Sequence, residues 1–189
     1  MSEKKKVTRY TEQNKIKPMI EDVIPDFLDG DNKRIALEFI AYLRENKMKP
    51  VWAIQNGWKA VYKGKVLYYI RLPKHEQQFR TKKQSDETEW TRSWVVTPFP
   101  QNINKYEELI INEGWQNLIW ENMGYCYTCP NAVNSYKCEG INKTILGKEF
   151  ENLCRGQLYG GGMAWFVNPD ETTISYIKKL LDFEKQARV

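Results

Sequence analysis

The stretch that decides the fold is Val51-Trp52-Ala53-Ile54-Gln55-Asn56-Gly57-Trp58-Lys59-Ala60-Val61-Tyr62-Lys63-Gly64-Lys65-Val66-Leu67-Tyr68-Tyr69-Ile70-Arg71-Leu72. Three runs rich in β-branched and aromatic residues, Val51 to Ile54, Trp58 to Tyr62 and Val66 to Leu72, are separated by Asn56-Gly57 and by Lys63-Gly64-Lys65. Asn-Gly supplies the positive backbone angles of a tight hairpin turn, and Gly64 can do the same. The pattern predicts an antiparallel meander.

Upstream of it, Ala36, Phe39, Ile40 and Leu43 recur at helical spacing behind the turn Asp29-Gly30-Asp31. They predict a helix over about 32–47, capped by Asp31 or Asn32 and ended by Pro50. Ile20, Val23, Ile24, Phe27 and Leu28 suggest a short docked segment before it. Downstream, the polar residues 73–89 read as a loop, and Trp90 to Thr97 as a fourth strand stopped by Pro98 and Pro100. Asn104-Lys105-Tyr106-Glu107 has capping-box spacing, Gly114 breaks or kinks the helix it opens, and Trp115 to Asn122 continues helically. A link through Gly160-Gly161-Gly162 precedes a strand from Met163 to Val167. Asn168-Pro169-Asp170-Glu171 then opens a terminal helix with Ile174, Ile177, Leu180 and Leu181 on one face. The fold class expected is α+β: an antiparallel meander sheet flanked by helices, with a cysteine-rich loop region before the C-terminal helix.

The 189 residues suit one domain, and a 41% apolar, 28% charged composition is ordinary for a globular chain. Seven Trp and eleven Tyr are not ordinary. Of the formal charge of +5, a net +4 falls in residues 1–17 through Lys4, Lys5, Lys6, Arg9, Lys15 and Lys17 against Glu3 and Glu12. We therefore expect a basic flexible arm over 1–17 and a single α+β domain over 18–189, with a cysteine cluster at 126–154. A nearly neutral body leaves nucleic acid as a partner through the arm alone. No apolar run approaches the roughly 18 residues that would span a bilayer, and the lysine-rich start has no apolar signal core, so a cytoplasmic protein without a membrane partner is expected.

Cys126, Cys129, Cys138 and Cys154 are the four cysteines, beginning with Cys126-Tyr127-Thr128-Cys129. A two-residue gap lets both sulfurs reach one tetrahedral ion, and four thiolates complete a structural zinc site. Strong zinc ribbons carry a second close pair, whereas Cys138 and Cys154 would have to be brought together by the fold. Inert reduced thiols, or a redox pair in which Cys126 attacks and Cys129 resolves, are the alternatives.

Trp52, Trp58, Tyr62, Tyr68, Trp90 and Trp94 lie on the proposed strands, with alternation putting Trp90 and Trp94 on one face. Such rings can line a pocket for a planar or cationic ligand, with Arg71 or Arg92 holding an anionic group; the commoner alternative is that they are the core of the sheet, since strands favour these residues anyway. His75, the sole histidine, sits in a polar loop where no partner can be paired with it. The glycine triplet has no P-loop lysine behind it.

The cysteine pattern, with Cys138-Glu139-Gly140 and Ile145-Leu146-Gly147-Lys148-Glu149-Phe150, resembles the C-terminal half of small uncharacterised proteins of clostridia-type bacteria. Segments similar to Ala36 to Leu43 and Tyr62 to Lys65 extend that resemblance over roughly residues 33–185. Glu139 departs from it, standing where those proteins tend to have proline. The helix followed by a meander also resembles YjbR- and YdhG-type domains, a likeness of fold that implies no activity. The sequence thus points to a non-enzymatic domain binding a small molecule or protein through an aromatic pocket beside a structural zinc. Thiol redox chemistry and nucleic-acid binding by the arm are the alternatives.

Overall fold

The computed structural model describes residues 10–72, 94–98, 106–124, 140–153 and 164–186. They form an α+β fold with an antiparallel sheet, flanking helices and a C-terminal helix. The chain divides into two compact units that are discontinuous in sequence. Among the described residues the first takes 10–72, 94–96 and 168–186, and the second 97–98, 106–124, 140–153 and 164–167.

The first unit is built on the meander. Strands β1 (Lys49–Ile54), β2 (Gly57–Tyr62) and β3 (Lys65–Arg71) pair antiparallel in sequence order, and β4 (Val95–Pro98) follows as β3's next neighbour. The β2–β3 turn obeys the expected chemistry, with Lys63 at φ 44° and Gly64 at φ 77°; the β1–β2 turn falls one residue earlier than expected, with Asn56 at φ 55° and Gly57 already in β2 opposite Ile54. The register Trp58↔Ile70 and Ala60↔Tyr68 puts these four residues on one face, and all are buried.

Three helices precede the meander: α1 (Tyr10–Ile16), α2 (Ile20–Phe27) and α3 (Gly30–Glu45). Helix α3 buries Ile35, Ala36, Phe39, Ile40 and Leu43, the stripe its spacing predicts. Its limits differ from expectation at both ends. The N-cap is Asp29, which makes no side-chain capping bond. The helix stops before Pro50 because Lys47 turns left-handed at φ 61°. Met48 N–H then reaches back to the Leu43 carbonyl at 2.8 Å, and Lys47 N–H to that of Arg44 at 2.9 Å, closing a Schellman motif over the buried Leu43 and Met48.

Helix α1 falls inside the segment expected as an arm over 1–17. Its Gln13 is wholly buried, because a tertiary partner satisfies the amide that a free helix would leave in water. The docked segment is helical as far as Phe27, with Ile20, Val23, Ile24 and the extended cap residue Leu28 buried.

The second unit holds α4 (Glu107–Asn112), α5 (Gln116–Glu121), the hairpin β5 (Ile141–Ile145) and β6 (Lys148–Leu153), and β7 (Phe166–Val167). Gly114, at φ 70°, separates α4 from α5 as its spacing suggested. The hairpin turns at Leu146-Gly147, both with positive φ. Helix α5 is tied to it where Trp120 Nε1 donates to the Ile145 carbonyl at 2.9 Å, with Lys148 Nζ 5.0 Å from the Trp120 ring.

The chain returns to the first unit as α6 (Glu171–Gln186), where Asp170 caps the Thr173 amide at 2.7 Å and Ile174, Ile177, Leu180 and Leu181 are buried. Arg34 of α3 donates to Glu171 at 2.7 Å, and with Asp31 and Glu38 around it stays protonated above its ordinary range.

Candidate functional site

Of the ring-bearing residues singled out from sequence, Trp52, Trp58, Tyr62, Tyr68 and Trp94 are described, and the structure sorts them by depth. Trp58, Tyr68 and Trp94 are buried at 0%, 2% and 1% exposure; Trp52 and Tyr62 are half-buried. The difference lies in their partners. Trp58 pairs with Ile70 on the packed face and gives its indole N–H to the Pro18 carbonyl at 3.0 Å. Trp52 lies on the edge strand beside Gln13, 3.5 Å from its Oε1. Arg71, expected beside these rings as an anion holder, is opposite Gly57 and so faces away from Trp58 and Tyr68, since neighbours along a strand alternate. Trp90, Arg92 and His75 lie outside the described residues.

Two helix residues organise the cluster: Phe39, expected from its spacing as core, and Tyr42, which is not among the ring-bearing candidates named from sequence. Both are on α3 at a three-residue spacing, so they share a face and their rings stack with centroids 6.5 Å apart. Phe39 also meets Trp94 at 6.2 Å in a tilted arrangement. The result is a line of three rings running from the buried Trp94 through Phe39 to the half-buried Tyr42. The helical pattern that identified Phe39 as core would have placed Tyr42 beside it.

At the outer end the chemistry becomes polar. Tyr42 Oη donates to Asp182 Oδ1 of α6 at 2.8 Å and lies 3.2 Å from the Lys178 carbonyl, while Lys178 Nζ stands 4.9 Å from the Tyr42 ring. Burial first, and then the Asp182 carboxylate, push the Tyr42 hydroxyl well above its ordinary value. Next to it, Lys185 donates to Asn46 Oδ1 at 2.9 Å and lies 6.0 Å from the Tyr62 ring, with Lys63 at 5.7 Å.

The inner end is held as firmly. Asn168 grips the Trp94 backbone through two hydrogen bonds, which fixes where the indole sits. Its Nε1 is buried and has no hydrogen-bond acceptor among the described residues. A buried donor left so costs on the order of 1–3 kcal/mol.

The four cysteines lie outside the described residues, and among the described residues no group of three or more metal-ligating side chains comes together. None of the described helices is long and apolar enough to cross a membrane. No family model, curated protein or solved structure matches the chain. The cluster thus assembles stacked rings, a buried indole donor and lysine ammonium groups near Tyr42 and Tyr62.

Proposed function

We propose that the first unit is a non-enzymatic binding module for a small planar molecule carrying a hydrogen-bond acceptor, a carbonyl or carboxylate. The observation that carries this is the buried indole N–H of Trp94, with no acceptor among the described residues and the Phe39 ring beside it. Buried polar groups in folded proteins are almost always satisfied, and an orphaned one marks a missing partner. A ligand acceptor at Nε1 removes the penalty while its plane replaces ring contacts with Phe39. Entry requires the covering rings to part, a minor conformation that binding makes dominant. The rim lysines, Lys178 and Lys185, favour an anionic tail.

The test is thermal shift with intrinsic fluorescence against planar carbonyl and carboxylate compounds. Binding should raise the melting temperature of the wild type and be lost in Trp94→Phe, which keeps an aromatic ring and removes the donor together with part of the indole's volume. Equal binding by that variant would sink the proposal.

A second reading, a structural zinc held by Cys126, Cys129, Cys138 and Cys154, gains support from the β5–β6 hairpin. Ile141 is the register partner of Leu153, and Gly140 packs so closely on Asn152 that a Cβ there would lie 2.7 Å from the Asn152 Cα. Cys138 stands two residues before Gly140 and Cys154 two after Asn152. That the described ends of the hairpin meet two residues from each of these cysteines is what supports the reading, since a four-thiolate site needs all its sulfurs within reach of one ion. Metal analysis separates this reading from the redox pair Cys126 and Cys129, which needs both thiols free. Binding of nucleic acid by residues 1–17 rests on charge alone.

A further inference from the structure

Asn56-Gly57 is chemically the most fragile dipeptide in the meander. In an Asn-Gly pair the glycine has no side chain to shield its own amide nitrogen. That nitrogen, once its proton passes to base, can attack the asparagine Cγ: a C–N bond forms, the Cγ–Nδ2 bond breaks, and ammonia leaves with a proton from solvent. Water then opens the five-membered ring at either carbonyl, leaving aspartate or isoaspartate. The balance is asparagine plus water giving acid plus ammonia, with no change of oxidation state.

The local backbone favours the labile pair. Asn56 sits at φ 55°, a region asparagine adopts more readily than most side chains, and a Cβ on Gly57 would stand 2.7 Å from Ile54 Cγ2. Gln13 encloses this pair. Its Nε2 donates to Asn56 Oδ1 at 2.7 Å and its Oε1 accepts the Asn56 backbone N–H at 2.8 Å, with Gln13 at 0% and Asn56 at 2% exposure. Attack on Cγ needs the Asn56 side chain to rotate over the Gly57 nitrogen; the bond to Oδ1 opposes that rotation, and the bond from the Asn56 backbone N–H holds Gln13 in place to make it. Burial also keeps out the base and the water.

We propose that Asn56-Gly57 is a latent deamidation site that docked α1 protects through Gln13, so that detachment of α1 commits the hairpin to an irreversible change. An isoaspartate lengthens the backbone by one carbon within the turn, and either product places a carboxylate in a site shaped for a neutral amide, so α1 cannot redock as before.

The experiment follows the one-dalton mass gain at Asn56 by peptide mapping of the full chain in mildly alkaline buffer. Native wild type, wild type in urea, Gln13→Ala and Gln13→Glu are compared, with circular dichroism recording which variants are folded. Gln13→Glu keeps an acceptor for the Asn56 N–H but has no donor for Oδ1 when ionised. Native wild type should deamidate slowest and the urea sample fastest. Folded Gln13→Ala should be faster than wild type by about tenfold, the order expected when two hydrogen bonds hold the closed form, and Gln13→Glu intermediate. Native and urea rates that coincide, or folded variants that keep the native rate, would overturn the proposal. Should Gln13→Ala not fold, the Gln13→Glu rate against native decides.

Discussion

Asn168 holds Trp94 from both directions: its backbone N–H donates to the Trp94 carbonyl at 2.8 Å, and its side-chain Oδ1 accepts the Trp94 backbone N–H at 3.0 Å. Asn168 does this at φ 44°, in the left-handed region that asparagine tolerates. Asn168→Ala should lose the side-chain bond and strain the backbone, costing about 2 kcal/mol, whereas Asn168→Gly should lose the bond alone and cost about 1 kcal/mol. Denaturant melts of the two variants check the order. Equal stability to wild type would show that the clamp does not position Trp94.

Tyr42 links α3 to α6, and its raised pKa gives the link a pH signature. The neutral hydroxyl is favoured in the folded protein, first by burial and then by Asp182. The stabilisation is therefore complete below the unfolded tyrosine value of about 10 and is lost as pH rises from there toward the folded value. Wild type should lose melting temperature above about pH 10 more steeply than Tyr42→Phe, and at neutral pH the variant should be weaker by about 1 kcal/mol. Parallel melting curves across that range would contradict the assignment.

On the opposite side of the pH scale, Glu21 of α2 takes a two-pronged contact from Arg44 of α3, with Arg44 Nη2 2.9 Å from Glu21 Oε2 and Nε on Oε1. Burial pulls the Glu21 carboxyl upward, but hydrogen bonds from Arg44 and the backbone, with the charge of Arg44, outweigh it and leave the carboxyl lowered. The contribution is present above the unfolded carboxylate range near 4.3 and is lost as pH falls through the folded value. Glu21→Gln should cost about 0.5–1 kcal/mol at neutral pH, as expected for a partly exposed pair. That difference should vanish in acid, as melts at the two pH values would register.

The proposed thiolate site predicts about one zinc per chain by mass spectrometry of metals, with the thiols unreactive until a chelator is added. Chelation should also lower the melting temperature. Metal-free protein with reactive thiols would remove the zinc reading and make reversible oxidation of Cys126 and Cys129 the next measurement.

Much of the fold was legible because short-range signals carried it: Asn56-Gly57 and Gly64 for the meander, the stripe of α3, and Asp170 at the start of α6. What was not legible depends on partners distant in sequence. Helix α1 looks like a polar tail until Gln13 meets Asn56, 43 positions later. Trp52 and Trp58 carry the same side chain in adjacent strands, and only the edge position of one and the Pro18 contact of the other separate a half-buried ring from a core one. The β5–β6 hairpin was hidden within the cysteine region, although the Leu146-Gly147 turn between Ile145 and Phe150 was a signal for it. Tyr42 escaped notice because its role depends on Asp182, in the last helix of the chain.

The most direct test of the binding proposal is to label the tryptophan indoles with nitrogen-15, assign the Trp94 resonance by its loss in Trp94→Phe, and titrate the protein with planar carbonyl and carboxylate compounds. Binding at the proposed site should move the Trp94 indole N–H downfield, as a donor gaining an acceptor does. It should leave the Trp58 indole, already bonded to Pro18, in place. A Trp94 resonance that no compound moves, or a compound that binds Trp94→Phe as well as wild type, would contradict the account.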